Sequence, residues 1–389
     1  MKNKIFDNID ENRNILLELG DYIFDNPEIG LEEYKSSEKI IEILEENGFK
    51  IEKGLGGFET AFRAIYENGN NGPSIGLLCE YDALENIGHA CAHHLQGPSI
   101  IGAALALKTI LKDQNFKIVV YGTPAEETIG AKVKMVDEGY FQDIDVALMM
   151  HGAPDTTTDI KSLALSNFTV KFHGTSAHAA LAPEKGRSAL DGVLLLFQGI
   201  EFMREHIRDE ARIHYTISNA GGPANVVPKY AEAKFSIRSY NREYLNHIIE
   251  RFKKVVQGAS LMTETDYEII ETKSLDNKIP VLKLNEVLMS NAQIVNAPRI
   301  SPPREKTGST DFGNVMYRLP GSCIRVAFVP TGTSSHSDEF LNAGKSEEAH
   351  SAIILAAKIL AGSAFDLIIN KEILNEIKEE FKINKTFRM

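Results

Sequence analysis

SIGLLCEYDALENIGHACAHHLQGPSIIGAALALKTIL, residues 74–111, holds an apolar run, a polar loop and a helical pattern in succession, and its reading decides the fold. SIGLLCE (74–80) is short and almost wholly apolar, as a strand is when both faces of its sheet are covered. Leu95–Leu111 carries alanines and leucines at helical spacing. Between them, GHACAHHLQG (88–97) concentrates one of the 3 cysteines and three of the 11 histidines of the chain. A packed core rarely asks for that mixture.

Outward from this stretch the same alternation recurs. TAFRAIY (60–66), KIVVYG (117–122), DVALMMHG (145–152) and CIRVAFVP (323–330) read as further strands with helical patterns between several of them. Two helices are expected between Ile15 and Gly48, broken at DNPEIG. The pattern predicts an α/β fold with a central, mostly parallel sheet covered by helices. From about Ser166 to Asp276 the reading changes. ARIHYTIS, AEAKFSIRSY and DYEIIET alternate apolar with polar residues, and together with NFTVKFHG and helices across 187–207 and 241–258 they indicate an inserted α+β unit with one solvated sheet face. The expected domains are therefore 1–165 with 277–389, interrupted by 166–276. The C-terminal LIINKEILNEIKEEFKINK reads as a charged amphipathic helix.

With 389 residues, 43% apolar and 25% charged, the chain has the balance of a globular protein. A net charge of −12 and the absence of basic, aromatic-interleaved runs argue against nucleic acid. The N-terminus has acids throughout and no apolar core segment, and no run of about eighteen apolar residues stands out, so neither a membrane role nor export is expected. A cytoplasmic location follows as the expectation. Cys79 and Cys323 lie in apolar strand-like runs, and only Cys91 has polar company.

In open α/β sheets, ligands bind beyond the carboxyl ends of the strands. Asp82 follows the first of these strands, Glu126 and Glu127 follow KIVVYG, His151 ends DVALMM, and His336 follows CIRVAFVP. Thiolate, imidazole and carboxylate are the ligand set of zinc and its neighbours, and Cys91-x-His93 in an extended turn can aim both side chains one way. Glu127, His151 and His336 would complete either two ions that share a ligand or one ion with spares. Each residue alone has an ordinary explanation, and it is the joint placement at one rim that points to a metal.

With these residues assembled, the chain resembles the M20 family of metallopeptidases, in particular its amidohydrolase branch and dipeptidase-like subgroup. The resemblance rests on EYDALE (80–85), GHACAHH (88–94), TPAEE (123–127), MMHGAP (149–154), HGTSAHAALAPEKGRSAL (173–190), GGPANVVPKY (221–230), GSTDFGN (308–314) and GTSSHSDEF (332–340). It implies two divalent ions, usually zinc or manganese, and an inserted lid through which such proteins commonly form homodimers. It implies Cys91, His93, Glu127, His151 and His336 as ligands, Glu126 as general base and Asp82 as the group that orients a ligand. It further implies that His178 reaches across a dimer to the developing oxyanion and that Asn225 and Arg238 bind the substrate's carboxylate or oxyanion. Gly308-Ser309-Thr310-Asp311 is expected to form a turn on the substrate side, with a plain helix N-cap as the alternative.

The chain departs from the branch at Ala92 and His94, where glycine and then Asp or Asn are usual. Ala92 lacks glycine's freedom at positive φ, so a different loop path is expected. His94 is expected to support the ligands from behind, with helix capping or substrate contact as alternatives. The function implied is metal-dependent hydrolysis of an amide or peptide bond in a small molecule with a free carboxylate. A thiol hydrolase built on Cys91 and a non-catalytic binding protein on the same fold are the rival readings. The net negative charge favours, weakly, a cationic substrate.

Overall fold

The computed structural model describes residues 1–387. The described chain divides into two compact units, one made of 1–162 and 278–387, the other of Leu163–Asn277. The peptide thus leaves the first unit after one half of it is built and returns to complete it.

Among the described residues, twelve strands form two sheets. They are β1 (Lys50–Lys53), β2 (Phe62–Asn68), β3 (Ser74–Cys79), β4 (Phe116–Gly122), β5 (Val146–Ala153), β6 (Thr157–Ser162), β7 (Ala164–His173), β8 (Arg212–Asn219), β9 (Tyr230–Ser239), β10 (Asp266–Leu275), β11 (Arg304–Thr307) and β12 (Gly321–Ala327). The helices are α1 (Lys2–Glu11), α2 (Arg13–Asp25), α3 (Tyr34–Glu46), α4 (Gln96–Ile110), α5 (Ala131–Asp137), α6 (Ala189–Arg204), α7 (Arg242–Thr263), α8 (Leu282–Ile294), α9 (Phe312–Met316), α10 (Asp338–Asn342), α11 (Glu347–Ile369) and α12 (Lys371–Phe387).

The first unit holds an eight-stranded sheet in the order β1-β2-β4-β3-β5-β12-β6-β11. Its centre, β4-β3-β5-β12, is parallel throughout, and β6 and β11 pair in parallel at one edge. Antiparallel pairing enters where β1, β2 and β4 meet and between β12 and β6. Apolar central strands need cover on both sides. Ile75, Leu77, Ile118, Val120, Leu148, Met150, Ile324 and Val326 face a large core shared with α4 and α11. The alternate positions Leu78, Val119, Tyr121, Met149 and Cys323 face a smaller core with Met135 of α5 and Phe312, Val315 and Met316 of α9. By length and composition α11 could cross a membrane, yet 78% of its apolar window is buried within the protein, so its composition is that of a core helix.

Three helices, not two, open the chain, because Lys2–Glu11 is helical as well. Its buried residues are Ile5 and Ile9, spaced four apart among polar and charged residues, with Phe6 half-buried against the same core, too sparse a stripe to stand out in the sequence.

The second unit is a four-stranded antiparallel sheet, β10-β7-β9-β8, with α6 and α7 packed on it. Along β9, Ala231, Ala233, Phe235 and Ile237 turn into the core while Glu232, Lys234, Ser236 and Arg238 alternate outward. Its helices begin at side-chain caps. Ser188 accepts from Asp191 N–H at 3.2 Å and Asn241 from Tyr244 N–H at 2.7 Å, each worth about 1 kcal/mol.

Candidate metal centre and active site

The carboxyl ends of β3, β4, β5 and β12 deliver the reactive groups to one rim of the first unit. After β3 the chain runs through Glu80, Tyr81 and Asp82, all buried. It then enters the Cys91 loop, whose ordering depends on a backbone bend: Ala92 adopts φ 59° and ψ 29°, left-handed despite its Cβ. The expected detour of the loop is therefore absent, and the alanine tolerates the strained conformation at a cost of roughly 1–2 kcal/mol. Close approach to β5 holds it there. A Cβ on Gly152 would lie 2.9 Å from the Ala92 Cβ and 2.8 Å from Phe328, so glycine at 152 is what admits the loop.

Two overlapping groups of potential ligands result. Cys91, His93 and His151 each place one donor atom within 4.8 Å of the others, and so do Cys91, Glu127 and His336. Cys91 belongs to both. A third group joins His93 to Glu126 and Glu127. The Cys91 Sγ lies 3.5 Å from His151 Nε2, and the His93 and His151 rings meet edge to face with centroids 5.6 Å apart. His336 comes from the loop after β12 with φ 65°, and its backbone N–H donates to Ala90 O at 2.9 Å, tying that loop to the Cys91 loop.

The surrounding hydrogen bonds fix these rings and carboxylates. Asp82 accepts from His93 Nδ1 at 3.0 Å and from the Glu127 backbone N–H at 3.0 Å, leaving His93 Nε2 turned inward. That nitrogen stands 3.2 Å from Glu80 Oε2. Burial disfavours a charged His93, but Cys91, Glu80 and Asp82 overcome it and raise its pKa well above the ordinary value. Lone pairs thus face one another and draw positive charge between them. Glu127 Oε1 is buried without a well-aligned hydrogen bond, 3.3 Å from His336 Nε2. A soft thiol, three imidazoles and carboxylates whose inner atoms oppose one another fit divalent metal cations.

Behind the rim lies a charged cluster not foreseen from the sequence. Lys132 is fully buried, with Nζ 2.7 Å from Glu80 Oε1 and 2.7 Å from Asp311 Oδ1. Gln96 exchanges two hydrogen bonds with Glu80, one to its side chain at 2.7 Å and one from its backbone N–H at 3.0 Å. Burial opposes ionisation of Glu80, but Lys132 and His93 bring it down to about 2. Glu126 shares a 4.8 Å triangle with Glu80 and Asp311. Burial first, then the charges of Glu80 and Asp311, push Glu126 up to about 8. Glu80 and Asp311 sit inside EYDALE and GSTDFGN, so the motifs held the signal, whereas Lys132 follows the paired acids with nothing to mark it.

His94 departs from expectation. It neither caps α4 nor reaches a ligand ring; its Nε2 lies 2.8 Å from Gly344 O and its ring packs edge-on against Phe24 at 4.8 Å. Burial, with His89 beside it, lowers its pKa to about 3, as for a neutral core histidine.

The rim opens into a cleft of about 450 Å³ lined by Cys91, Glu126, Glu127, His151 and His336 at one end and by Arg304, Lys306 and Arg325 among others. Ser309 and Thr310 line it too, while Thr310 Oγ1 accepts from Phe312 N–H at 3.3 Å at the start of α9.

The second unit carries His178, Asn225 and Arg238. Here His178 pairs with Val226 and the Ala179 N–H donates to Asn225 O at 3.0 Å, so the loops bearing His178 and Asn225 lie side by side, with both residues exposed. His178 Nδ1 accepts from Ala180 N–H at 3.2 Å, which leaves Nε2 as the protonated nitrogen. Arg238 stands on β9 opposite Leu165 and Arg212, on the face away from the core.

Residues 163–261 match the M20 peptidase dimerisation domain. The chain is 31% identical to one of the p-aminobenzoyl-glutamate hydrolase polypeptides of Escherichia coli K12, over 97% of this chain and 94% of the relative. It is 30% identical to the Xaa-Arg dipeptidase of Mus musculus, over 98% and 92%. Among solved structures, a dinuclear metal binding peptidase of Bacillus subtilis superposes with a TM-score of 0.69 at 17% identity, covering 92% of this chain and 99% of the other, a likeness of fold.

Proposed function

This chain belongs to the M20 family and is a hydrolase, and on that premise we propose that it is a metal-dependent amidohydrolase or dipeptidase acting on a small molecule with a free carboxylate. The observation that carries the reading is the pair of ligand groups sharing Cys91, with Glu126 beside them. Cys91, His93, Glu127, His151 and His336 would hold two divalent ions, zinc or manganese. Such ions supply Lewis acidity, easing loss of a proton from water and drawing charge from a carbonyl oxygen.

The chain's own groups do the rest. Asp82 holds the His93 ring and the Glu127 backbone in register. Glu126 takes a proton from the attacking water and returns it to the departing nitrogen, a task suited to a carboxyl whose pKa lies near the working pH. His178 meets charge on the oxyanion, and Asn225 and Arg238 receive the substrate's carboxylate, for which a planar guanidinium is suited. The match to a dimerisation domain supports a homodimer through the second unit. A cytoplasmic location is part of the proposal.

The names of the relatives, which point to p-aminobenzoyl-glutamate and Xaa-Arg dipeptides, support a small amide substrate. The thiol-hydrolase reading is disfavoured because burial pushes the Cys91 thiol up to about 12, leaving too little thiolate to attack. The test is to strip the protein with a chelator, reload it with zinc or manganese, and assay dipeptides and N-acyl amino acids. Activity should vanish and return with metal. Full turnover by metal-free protein would overturn the proposal.

A further inference from the structure

The break between α2 and α3, DNPEIG (25–30), reads in the sequence as no more than the end of a helix. In the structure, residues 28–33 reach the backbone of both acid-bearing loops. The Ala83 N–H, next to Asp82, donates to Glu28 O at 2.7 Å, and Ile29 bridges Ala83 in parallel. Glu33, at the start of α3, is fully buried. One of its carboxyl oxygens accepts from the Ala125 N–H at 2.8 Å and the other from the Thr60 hydroxyl at 2.9 Å. The Tyr81 hydroxyl in turn donates to Thr60 O at 2.6 Å, which fixes Thr60.

Ala125 is where the chain turns from β4 into the Glu126-Glu127 pair. It adopts φ 60°, a left-handed conformation that a Cβ disfavours. Its carbonyl accepts from the N–H groups of Thr128 at 3.3 Å and Gly130 at 2.8 Å, so the turn closes on itself after the pair. Its own N–H faces inward to Glu33. A buried N–H deprived of its acceptor destabilises the conformation that leaves it so, and Glu33 therefore favours the strained backbone over its alternatives. Burial raises the Glu33 pKa to about 7, and in either protonation state an oxygen remains to accept from Ala125. The packing is close as well. A Cβ on Gly30 would lie 3.0 Å from both Cα and Cβ of Ala125 and 2.5 Å from Thr128 Oγ1.

We infer that Glu33 is a positioning residue for the hydrolytic reaction: by accepting the Ala125 N–H it fixes the turn that aims the Glu126 carboxyl, while Glu33 itself does not line the cleft. This role rests on the reading of Glu126 as the proton carrier. Glu126 follows directly on the strained residue, so rotation of the backbone at Ala125 swings its carboxyl away from the rim. A displacement of about 1 Å can cost up to about 10²-fold in rate.

The test compares metal-loaded wild type with Glu33→Met, which removes both acceptors at similar volume, and with Glu33→Gln, which keeps an oxygen for Ala125 and offers its NH2 to the Thr60 hydroxyl. On a dipeptide that wild type cleaves, Glu33→Met should lower kcat about 10–100-fold with KM within about threefold. Glu33→Gln should restore kcat to within about threefold of wild type, since the acceptor is kept. Normal kcat in folded Glu33→Met, or equal loss in both variants, overturns the inference. Hydrogen exchange adds a readout that needs neither metal nor turnover. In Glu33→Met, residues 123–130 should exchange about tenfold faster while β4 is unchanged; an unchanged turn, or acceleration throughout the fold, overturns it. If Glu33→Met does not fold, Gly30→Ala replaces it, because its added Cβ presses on the turn with the acceptor intact. There kcat should fall about fivefold and the turn exchange faster, and no change in either overturns the inference. Should wild type cleave no amide, the hydrolase reading fails separately and exchange alone decides this one.

Discussion

The Asp82 carboxylate lies 3.0 Å from His93 Nδ1. One short acid thereby sets the tautomer of a proposed ligand, and its other oxygen holds the backbone of Glu127. Orientation of this kind typically governs affinity by one to two orders of magnitude. Asp82→Ala should therefore bind zinc about 10–100-fold more weakly, measured by competition with a chromophoric chelator. Unchanged affinity would show that the ring is held elsewhere.

A different outcome is expected at Glu126. The Glu126→Gln protein should keep its full metal content by elemental analysis while kcat drops by about 10²–10⁴-fold, since only the proton carrier is lost. Retention of normal kcat would remove Glu126 from the mechanism.

Stability depends strongly on Lys132, which is buried between Glu80 and Asp311. Lys132→Met leaves two buried carboxylates without their partner and should cost about 3–5 kcal/mol in urea unfolding. Lys358→Ala, which breaks the pair with the half-exposed Asp10, should cost less than about 1 kcal/mol. Similar losses for the two would contradict the picture of a buried cluster.

Acid should destabilise the protein through its core histidines. His89 is lowered from 6.5 to about 3 by burial and the nearby His93, and His94 is lowered equally by burial and His89. Between those values the unfolded chain binds protons that the folded chain refuses, so stability falls as pH falls from 6.5 towards 3. Each histidine contributes up to about 1.4 kcal/mol per pH unit over that window. Denaturant midpoints at pH 7, 6 and 5 measure it, and a midpoint that rises on acidification would refute it.

Much of the catalytic-unit fold was readable because its central strands are apolar on both faces and each is followed by a polar loop. β3, β4 and β5 lie within a residue of where their apolar runs place them, and β12 begins two residues and ends three residues before its run. β6 was not readable, for TTDIKS is polar; its threonines are buried beside β12 and its Asp159 is occupied by cations. The long helix α11 did not stand out either, although its apolarity is what closes the larger core.

The sequence by itself determined the donor chemistry of the rim and the loops that bear it, because residue type and position after a strand are local properties. What surrounds those donors was decided only by tertiary structure. Lys278 meets Asp159 across 119 residues of chain, and Lys132 meets Asp311 across 179. Such pairings follow from strand order and register, which no single segment encodes, and electrostatic energy depends on the distances and burial that they create.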